Sequence, residues 1–598
     1  MVRNLDKHLK FFTHALAVLA ISLNSVPPAN AGPQQIPPIY AQLAVVKPVI
    51  NCAAIANADL SGEVGAAVTV KAGVIDTPKG QFCQIKGTIT PSIGFEVDLP
   101  VATWTQRYLQ AGCGGLCGSI NASIGNAGTC RPALSGEFAV AATDMGHTGK
   151  MGSPDEGAFV ADPQKRIDFA YRANHVTALA AKALIRTYYG VPPRYSYFSG
   201  CSDGGREALM EAQRYPDDFD GVSAGAPAML FQIQNSFFHA WSVAANLRPD
   251  GSPILLAGKL SALHAAVLAH CDLLDGIKDG LLSDPRVCHV QQSWVACKAG
   301  TTDTSTCLTA EEWAVAAKQY EGPTDNVGRH FLPGGLEPGS ELMWTSFIPT
   351  RAGDKIMSAG LFQSMIPVVN LDPTAIESRL TTFPFTVEEF ARLRDLHSLN
   401  DATNPDLRAF AARGGKLILW HGWADFSIAP MISVAYYRSV QARMGAMVTD
   451  KFLRLFMLPG VGHCGGGDGF AQVDTLSPLM TWVEAGQKPK ALIAEQIAEK
   501  PMGNPQGGSD GRGGGMHELA NRPPLALTNQ PALASRPIYP FPMIAHYGGH
   551  DDPKQASSYV PAHSPVTKAV DWYGASMLGP GFQRGYQVKD GKLAVLAP

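Results

Sequence analysis

The chain has 598 residues, of which 45% are hydrophobic and 17% charged, with a formal net charge of −3. That composition belongs to a globular protein long enough for one large core with a sizeable insertion, or for several domains. It has no basic bias and no Lys/Arg cluster, which argues against nucleic acid as a partner.

In chain order, residues 1–31 read as a signal peptide. Arg3, Lys7 and Lys10 form a positive start, Phe11 to Leu23 an apolar run, and Ala29-Asn30-Ala31 a small-residue cleavage site. The apolar run is shorter than the ~20 residues that span a bilayer, and no later stretch qualifies, so no membrane anchor is expected. The sequence predicts a secreted or periplasmic protein. All eleven cysteines follow this segment, which makes disulfides the default. The odd count leaves at least one thiol free or bonded to another chain. Asn121-Ala122-Ser123 is a glycosylation sequon that matters only in a eukaryotic host.

Residues 32 to about 50 read as a linker. From Val68 to Val101, β-branched runs broken by Gly and Pro predict paired strands, with Cys52 and Cys83 as a clip. Arg107–Ala111 and Phe138–Thr143 read as strands and Ile167–Tyr189 as a helix. The strand Arg194–Ser199 runs into Gly200-Cys201-Ser202-Asp203-Gly204, and a helical stretch follows from Arg206. This G-x-S-x-G, between a strand and a helix, has the form of a nucleophile elbow, whose sharp turn needs small residues on both sides of the serine. Alternating strands and helices predict a mostly parallel sheet covered on both faces.

The alternation stops near Pro227 and resumes at Lys416–Trp420. The sequence therefore predicts an α/β-hydrolase fold with a large inserted lid. Its parts are a first core segment at 32–227, the lid at 228–405, a second core segment at 406–547 and a tail at 548–598 with no clear periodicity. The Gly-rich stretch 503–515 reads as a loop.

A serine nucleophile needs a base oriented by a carboxylate, in the chain order Ser, acid, His. Two post-strand loops supply them, His421-Gly422-Trp423-Ala424-Asp425 and Pro459-Gly460-Val461-Gly462-His463-Cys464, so the triad is assigned to Ser202, Asp425 and His463. His147 precedes the serine, and Asp468 and Asp474 follow the histidine, so none fits that order. Oxyanion donors are expected from the backbone N–H of Asp203 and, in the Gly-rich loop Gly112–Gly118, from Gly115. Cys201 and Cys464 adjoin nucleophile and base, and their pairing would tether the two. In the lid, Asp272, Asp275 and Asp279 with the carbonyls of Ile277 and Leu281 suit Ca2+, a solvated acidic turn being the alternative. Cys271–Cys288 and Cys297–Cys307 are the expected clips nearby; Cys113, Cys117 and Cys130 stay unassigned. Trp344, Phe347 and Arg351 form a group able to stack an aromatic ring and pair with a carboxylate or phenolate, the alternative being lid core and a surface charge.

At these residues the chain resembles the tannase family of α/β-hydrolases, which includes tannases, feruloyl esterases and mono(2-hydroxyethyl) terephthalate hydrolase. The matching segments are Gly200–Glu207, Tyr215–Pro227, Asp272–Leu281, His421–Asp425 and Gly462–Cys464. The resemblance implies a bridge between Cys201 and Cys464, a structural calcium in the lid held by Asp272, Asp275 and Asp279, and hydrolysis of small aromatic esters through an acyl-enzyme. A terephthalate monoester hydrolase of the same family, a serine peptidase and a calcium-dependent binding protein without catalysis are the rival readings. The chain lacks the C-terminal disulfide common in the family and carries the extra cysteines 113, 117 and 130 instead.

Overall fold

The computed structural model describes residues 39–149, 156–370, 380–395, 397–497, 532–566, 571–579, 581 and 583–596. The expected signal peptide and the Gly-rich stretch 503–515 lie outside them.

The core is a nine-stranded sheet. Its strands are β1 (Val68–Thr77), β2 (Gly80–Ile89), β3 (Ile93–Pro100), β4 (Arg107–Ala111), β5 (Phe138–Thr143), β6 (Tyr195–Cys201), β7 (Gly221–Gly225), β8 (Lys416–Gly422) and β9 (Leu453–Leu458). Their spatial order is β1-β2-β3-β5-β4-β6-β7-β8-β9. The first three strands are an antiparallel meander, β3 meets β5 antiparallel, and every pairing from β5 to β9 is parallel.

Parallel strands bury both faces, and β8 shows why its sequence is apolar throughout. Leu417 and Leu419 join one hydrophobic cluster while the alternate residues Ile418 and Trp420 join a second. The helices α1 (Ala173–Tyr189) and α2 (Asp203–Arg214) belong to the first cluster. Between β7 and β8 the chain builds α3 (Leu260–Cys271), α4 (Ala310–Glu321) and α5 (Met357–Asn370), with short 3-10 turns among them. After β8, α6 (Met431–Met444) also joins the first cluster, and α7 (Leu476–Ala485) covers the second.

Sheet order places the site. β4 lies between β5 and β6, so the chain leaves β4 to one side and returns on its other side at β6, which makes the C-terminal ends of these strands the switch point where ligands bind in such sheets. The loops after β4 and β6 meet there.

The C-terminal part is more ordered than its sequence suggests. The strand Met543–Tyr547 pairs with Tyr559–His563, so a boundary at 547 cuts through a hairpin. A second hairpin pairs Tyr586–Lys589 with Lys592–Val595, and the backbone N–H of Tyr586 donates to the Tyr171 hydroxyl at 3.0 Å. Tyr573 stacks on Phe331 of the insertion, ring centres 5.1 Å apart. Short strands anchored by single aromatics carry too little periodicity to be seen in sequence.

Candidate active site

Ser202 stands between β6 and α2 with φ +64° and ψ −121°, a conformation that costs a non-glycine residue of order 1–3 kcal/mol. Three backbone hydrogen bonds hold it: its N–H donates to Gly225 O at 3.0 Å, and its carbonyl accepts from Arg206 N at 3.1 Å and Ala228 N at 3.0 Å. The turn is tight enough that a Cβ on Gly200 would lie 2.4 Å from Gly204 O. The helix that begins at Asp203 therefore aims its free N–H groups at the space beside the serine.

Asp425 and His463 come from the loops after β8 and β9. His463 Nδ1 lies 2.7 Å from Asp425 Oδ2. The other carboxylate oxygen accepts the N–H groups of Ser427 at 2.8 Å and Ile428 at 2.9 Å. Asp425 is fully buried, which alone would raise its pKa, but His463 and His421 beside it hold the carboxyl well below the usual carboxylate range. The loops approach closely because Gly422 has no side chain: a Cβ there would sit 2.1 Å from Val461 O.

The Cys201–Cys464 disulfide joins the residue before the serine to the residue after the histidine, Cα atoms 5.9 Å apart. The chain also pairs Cys52–Cys83, Cys271–Cys288, Cys297–Cys307 and Cys113–Cys117. The eleventh cysteine, Cys130, is free and buried against Met480. The Cys113–Cys117 bond closes the loop that carries Gly115, whose φ is +64°. That loop is fixed to the elbow strand by Gly112 N donating to Ser199 O at 3.0 Å.

Several neighbours make contacts that the sequence does not show. His421 places Nε2 3.2 Å from Asp425 Oδ2 and Nδ1 2.7 Å from Ser433 Oγ. Its spacing of four from Asp425 was visible, but not its direction. Gln234 donates to Ser427 O at 2.8 Å, locking the acid's loop to the insertion. His239 is fully buried with Nδ1 3.2 Å from Ser358 Oγ, and Nε2 has no hydrogen-bond partner among the described residues. Burial, and then the charge of His463, push its pKa down to about 3, so it is a neutral polar group beside His463. The Phe426 ring lies 6.3 Å from that of His463, and Met343 presses on Gly462.

Of the two readings open for Trp344, Phe347 and Arg351, the structure takes lid core and a surface charge. Trp344 and Phe347 are fully buried, with Trp344 Nε1 donating to Ser340 Oγ at 2.9 Å and its ring edge-on to Tyr320. Arg351 is 82% exposed and pairs with Asp354. The 3-10 turn Glu341–Ser346 rotates successive side chains by about 120°, so Met343 faces the catalytic loop and Trp344 the interior.

The three aspartates of the insertion lie on one turn. Asp272 accepts from Gly280 N at 3.0 Å, Asp275 from Ser283 Oγ at 2.7 Å, and Asp279 pairs with Arg536. Burial raises the pKa of both Asp275 and Asp279. An all-oxygen set suits a hard cation, with Asp272 and Asp275 buried, although here the Arg536 guanidinium provides the counter-charge on the more exposed Asp279. Among the described residues, the group of candidate ligands gathered within 4.8 Å is instead Cys113, Cys117, Asp203 and Glu207, whose sulfurs are bonded to each other. No helix of the described residues is long and apolar enough to cross a membrane.

Comparison with known proteins gives the family and the fold. An esterase of Xanthomonas campestris pv. campestris is 34% identical over 491 residues, covering 73% of this chain and 82% of that protein. The mono(2-hydroxyethyl) terephthalate hydrolase of Piscinibacter sakaiensis is 29% identical over 549 residues, covering 81% and 85%. The crystal structure of feruloyl esterase B from Aspergillus oryzae superposes with a TM-score of 0.67 at 25% identity, covering 83% of this chain and 96% of that one. The family model for tannase and feruloyl esterase matches residues 76–562. The chain belongs to the tannase and feruloyl esterase family and is a carboxylic ester hydrolase with an α/β-hydrolase fold.

Proposed function

We propose that this esterase cleaves esters of aromatic acids by serine acyl transfer. The observation that carries the mechanism is the buried Asp425–His463 pair, tethered by the Cys201–Cys464 disulfide to the elbow that presents Ser202. With Nδ1 held by Asp425, the free nitrogen of His463 is Nε2, which accepts the Ser202 proton as Oγ attacks the acyl carbon. The developing oxyanion is received by the backbone N–H groups of Asp203 and Gly115. His463 then returns the proton to the leaving alcohol. Water, deprotonated by the same nitrogen, releases the acid and restores Ser202.

Feruloyl and terephthalate esters are the substrates named for the relatives, which supports an aromatic acyl group here. Arg351, the cation the sequence offered for a substrate carboxylate, is bound to Asp354 at the surface. That favours uncharged phenolic acyl groups, gallate or hydroxycinnamate, over terephthalate. Five disulfides, together with the signal peptide that the sequence leads one to expect at residues 1–31, support export. Asp272, Asp275 and Asp279 would hold Ca2+ as a structural ion, away from the acyl chemistry. The test is kcat/KM on methyl gallate, methyl ferulate, the terephthalate monoester, a long-chain aliphatic ester and a peptide amide. The reading requires one of the first two to lead; a lead for the long-chain ester or the amide would make this a lipase-like enzyme or a peptidase.

A further inference from the structure

Beneath the Gly115 loop lies a carboxyl group that the mechanism does not use. Glu207, one turn along α2 from Asp203, is 2% exposed. Its Oε2 accepts from Asn174 Nδ2 at 2.8 Å and from the Cys113 N–H at 3.4 Å. Its Oε1 lies 2.7 Å from Cys113 Sγ and 3.3 Å from Cys117 Sγ. Both sulfurs belong to one disulfide and carry no hydrogen. An ionised oxygen there would set lone pairs against lone pairs, whereas a protonated Oε1 donates to the sulfur as Oε2 accepts both N–H groups. The contacts are those of a neutral acid.

The packing leaves the loop little freedom. A Cβ on Gly112 would stand 2.7 Å from Gly204 Cα and 3.0 Å from Glu207 Oε2. The disulfide closes a short ring around Gly114, Gly115 and Leu116, with Cys117 N donating to Gly114 O at 3.0 Å. The loop therefore rests on the start of α2 through one covalent ring and one carboxyl group.

We propose that Glu207 is a positioning residue of the oxyanion hole, supporting the Cys113–Cys117 disulfide and through it the Gly115 N–H that faces the transition state. The inference rests on the serine acyl-transfer reading above. Burial, and then the charge of Asp203, push the Glu207 pKa up to about 8. The titratable and charged groups around it are Asp203, Arg206 and Glu211 on α2, and burial, then Asp218, push the Glu211 pKa far up. On α1, His175 and Lys182 engage Asp218. The Cys113–Cys117 loop contributes no charge. The neutral form predominates below that pKa. As pH rises through it, a negative charge forms under the hole, breaks the contact with the sulfurs and opposes the oxyanion.

The experiment is kcat and KM from pH 6 to 9.5 for wild type, Glu207→Gln and Glu207→Ala on 4-nitrophenyl acetate, a substrate with no titrating group. E207A should lose at least tenfold in kcat at pH 7 with KM within threefold, and E207Q should regain most of that loss. Wild-type kcat should fall at least fivefold between pH 7 and 9.5, and E207Q should stay flat. E207A at wild-type kcat, or the same alkaline fall in E207Q, would overturn the proposal; if E207A does not fold, the E207Q profile decides alone. Fluorophosphonate labelling of Ser202 in the wild type separates the two levels. Unlabelled active enzyme would refute the serine reading, whereas labelled enzyme indifferent to Glu207 would refute this inference alone.

Discussion

Asp425 gathers four donors: the N–H groups of Ser427 and Ile428, and the rings of His463 and His421. Two histidines on one carboxylate set its protonation and its direction together. Its depressed pKa places the stability it contributes above the ordinary carboxylate value, to be lost as pH falls through the lower native pKa. Asp425 therefore stays ionised through mildly acidic solutions. His421→Ala removes one buried partner, which should cost about 1–3 kcal/mol of stability. It should also lower kcat about tenfold with KM little changed, measured by thermal melting and steady-state kinetics. The sequence made the meeting of Asp425 with His463, and their tether to the Ser202 elbow, legible, because the three residues each follow a strand in the order the proposed triad requires. It could not reveal His421, His239 or Met343, whose roles depend on which way a side chain turns. For the same reason the sequence left Trp344, Phe347 and Arg351 open between a binding group and lid core with a surface charge, and the structure takes the second.

At the scale of elements, the loops are held by crosslinks more than by regular structure. Cys201–Cys464 closes a span of 263 residues, for which chain entropy gives about 5–6 kcal/mol, an upper bound because other disulfides shorten the loop. Replacing both with Ala should lower Tm and kcat together, and both thiols free in active enzyme by mass spectrometry would remove the tether from the account. The turn carrying Asp272, Asp275 and Asp279 gives a second expectation. Chelation with EDTA should lower Tm, because an ion bound only by the folded state stabilises it. Activity at low temperature should survive, and an unchanged Tm would leave Arg536 as the turn's sole counter-charge. The Cys201–Cys464 pairing was legible because the sequence places these residues beside Ser202 and His463. Cys113, Cys117 and Cys130 were not, since any two of three clustered cysteines could pair. Three-dimensional proximity chose Cys113–Cys117 and buried Cys130 beside Met480.

On the scale of the whole molecule, a sheet whose chain leaves β4 to one side and returns on the other brings four loops from distant parts of the chain to the strands' C-terminal ends. The strands were legible because buried parallel strands are short apolar runs, and the order of elements implied the fold. The insertion was visible only as an interruption between Ala226 and Lys416; how it packs on the catalytic loops, through Gln234 and Met343, was not. The C-terminal hairpins escaped notice because their strands are short and lean on aromatics contributed elsewhere. The central claim is that ester cleavage passes through an acyl group on Ser202. Its most direct test is intact-protein and peptide mass spectrometry of enzyme quenched in acid during turnover of methyl ferulate, alongside Ser202→Ala. The account predicts a feruloyl adduct on the peptide containing Ser202, absent from the Ala variant, whose kcat falls at least about a thousandfold. An active Ala variant, or an adduct on another residue, would contradict it.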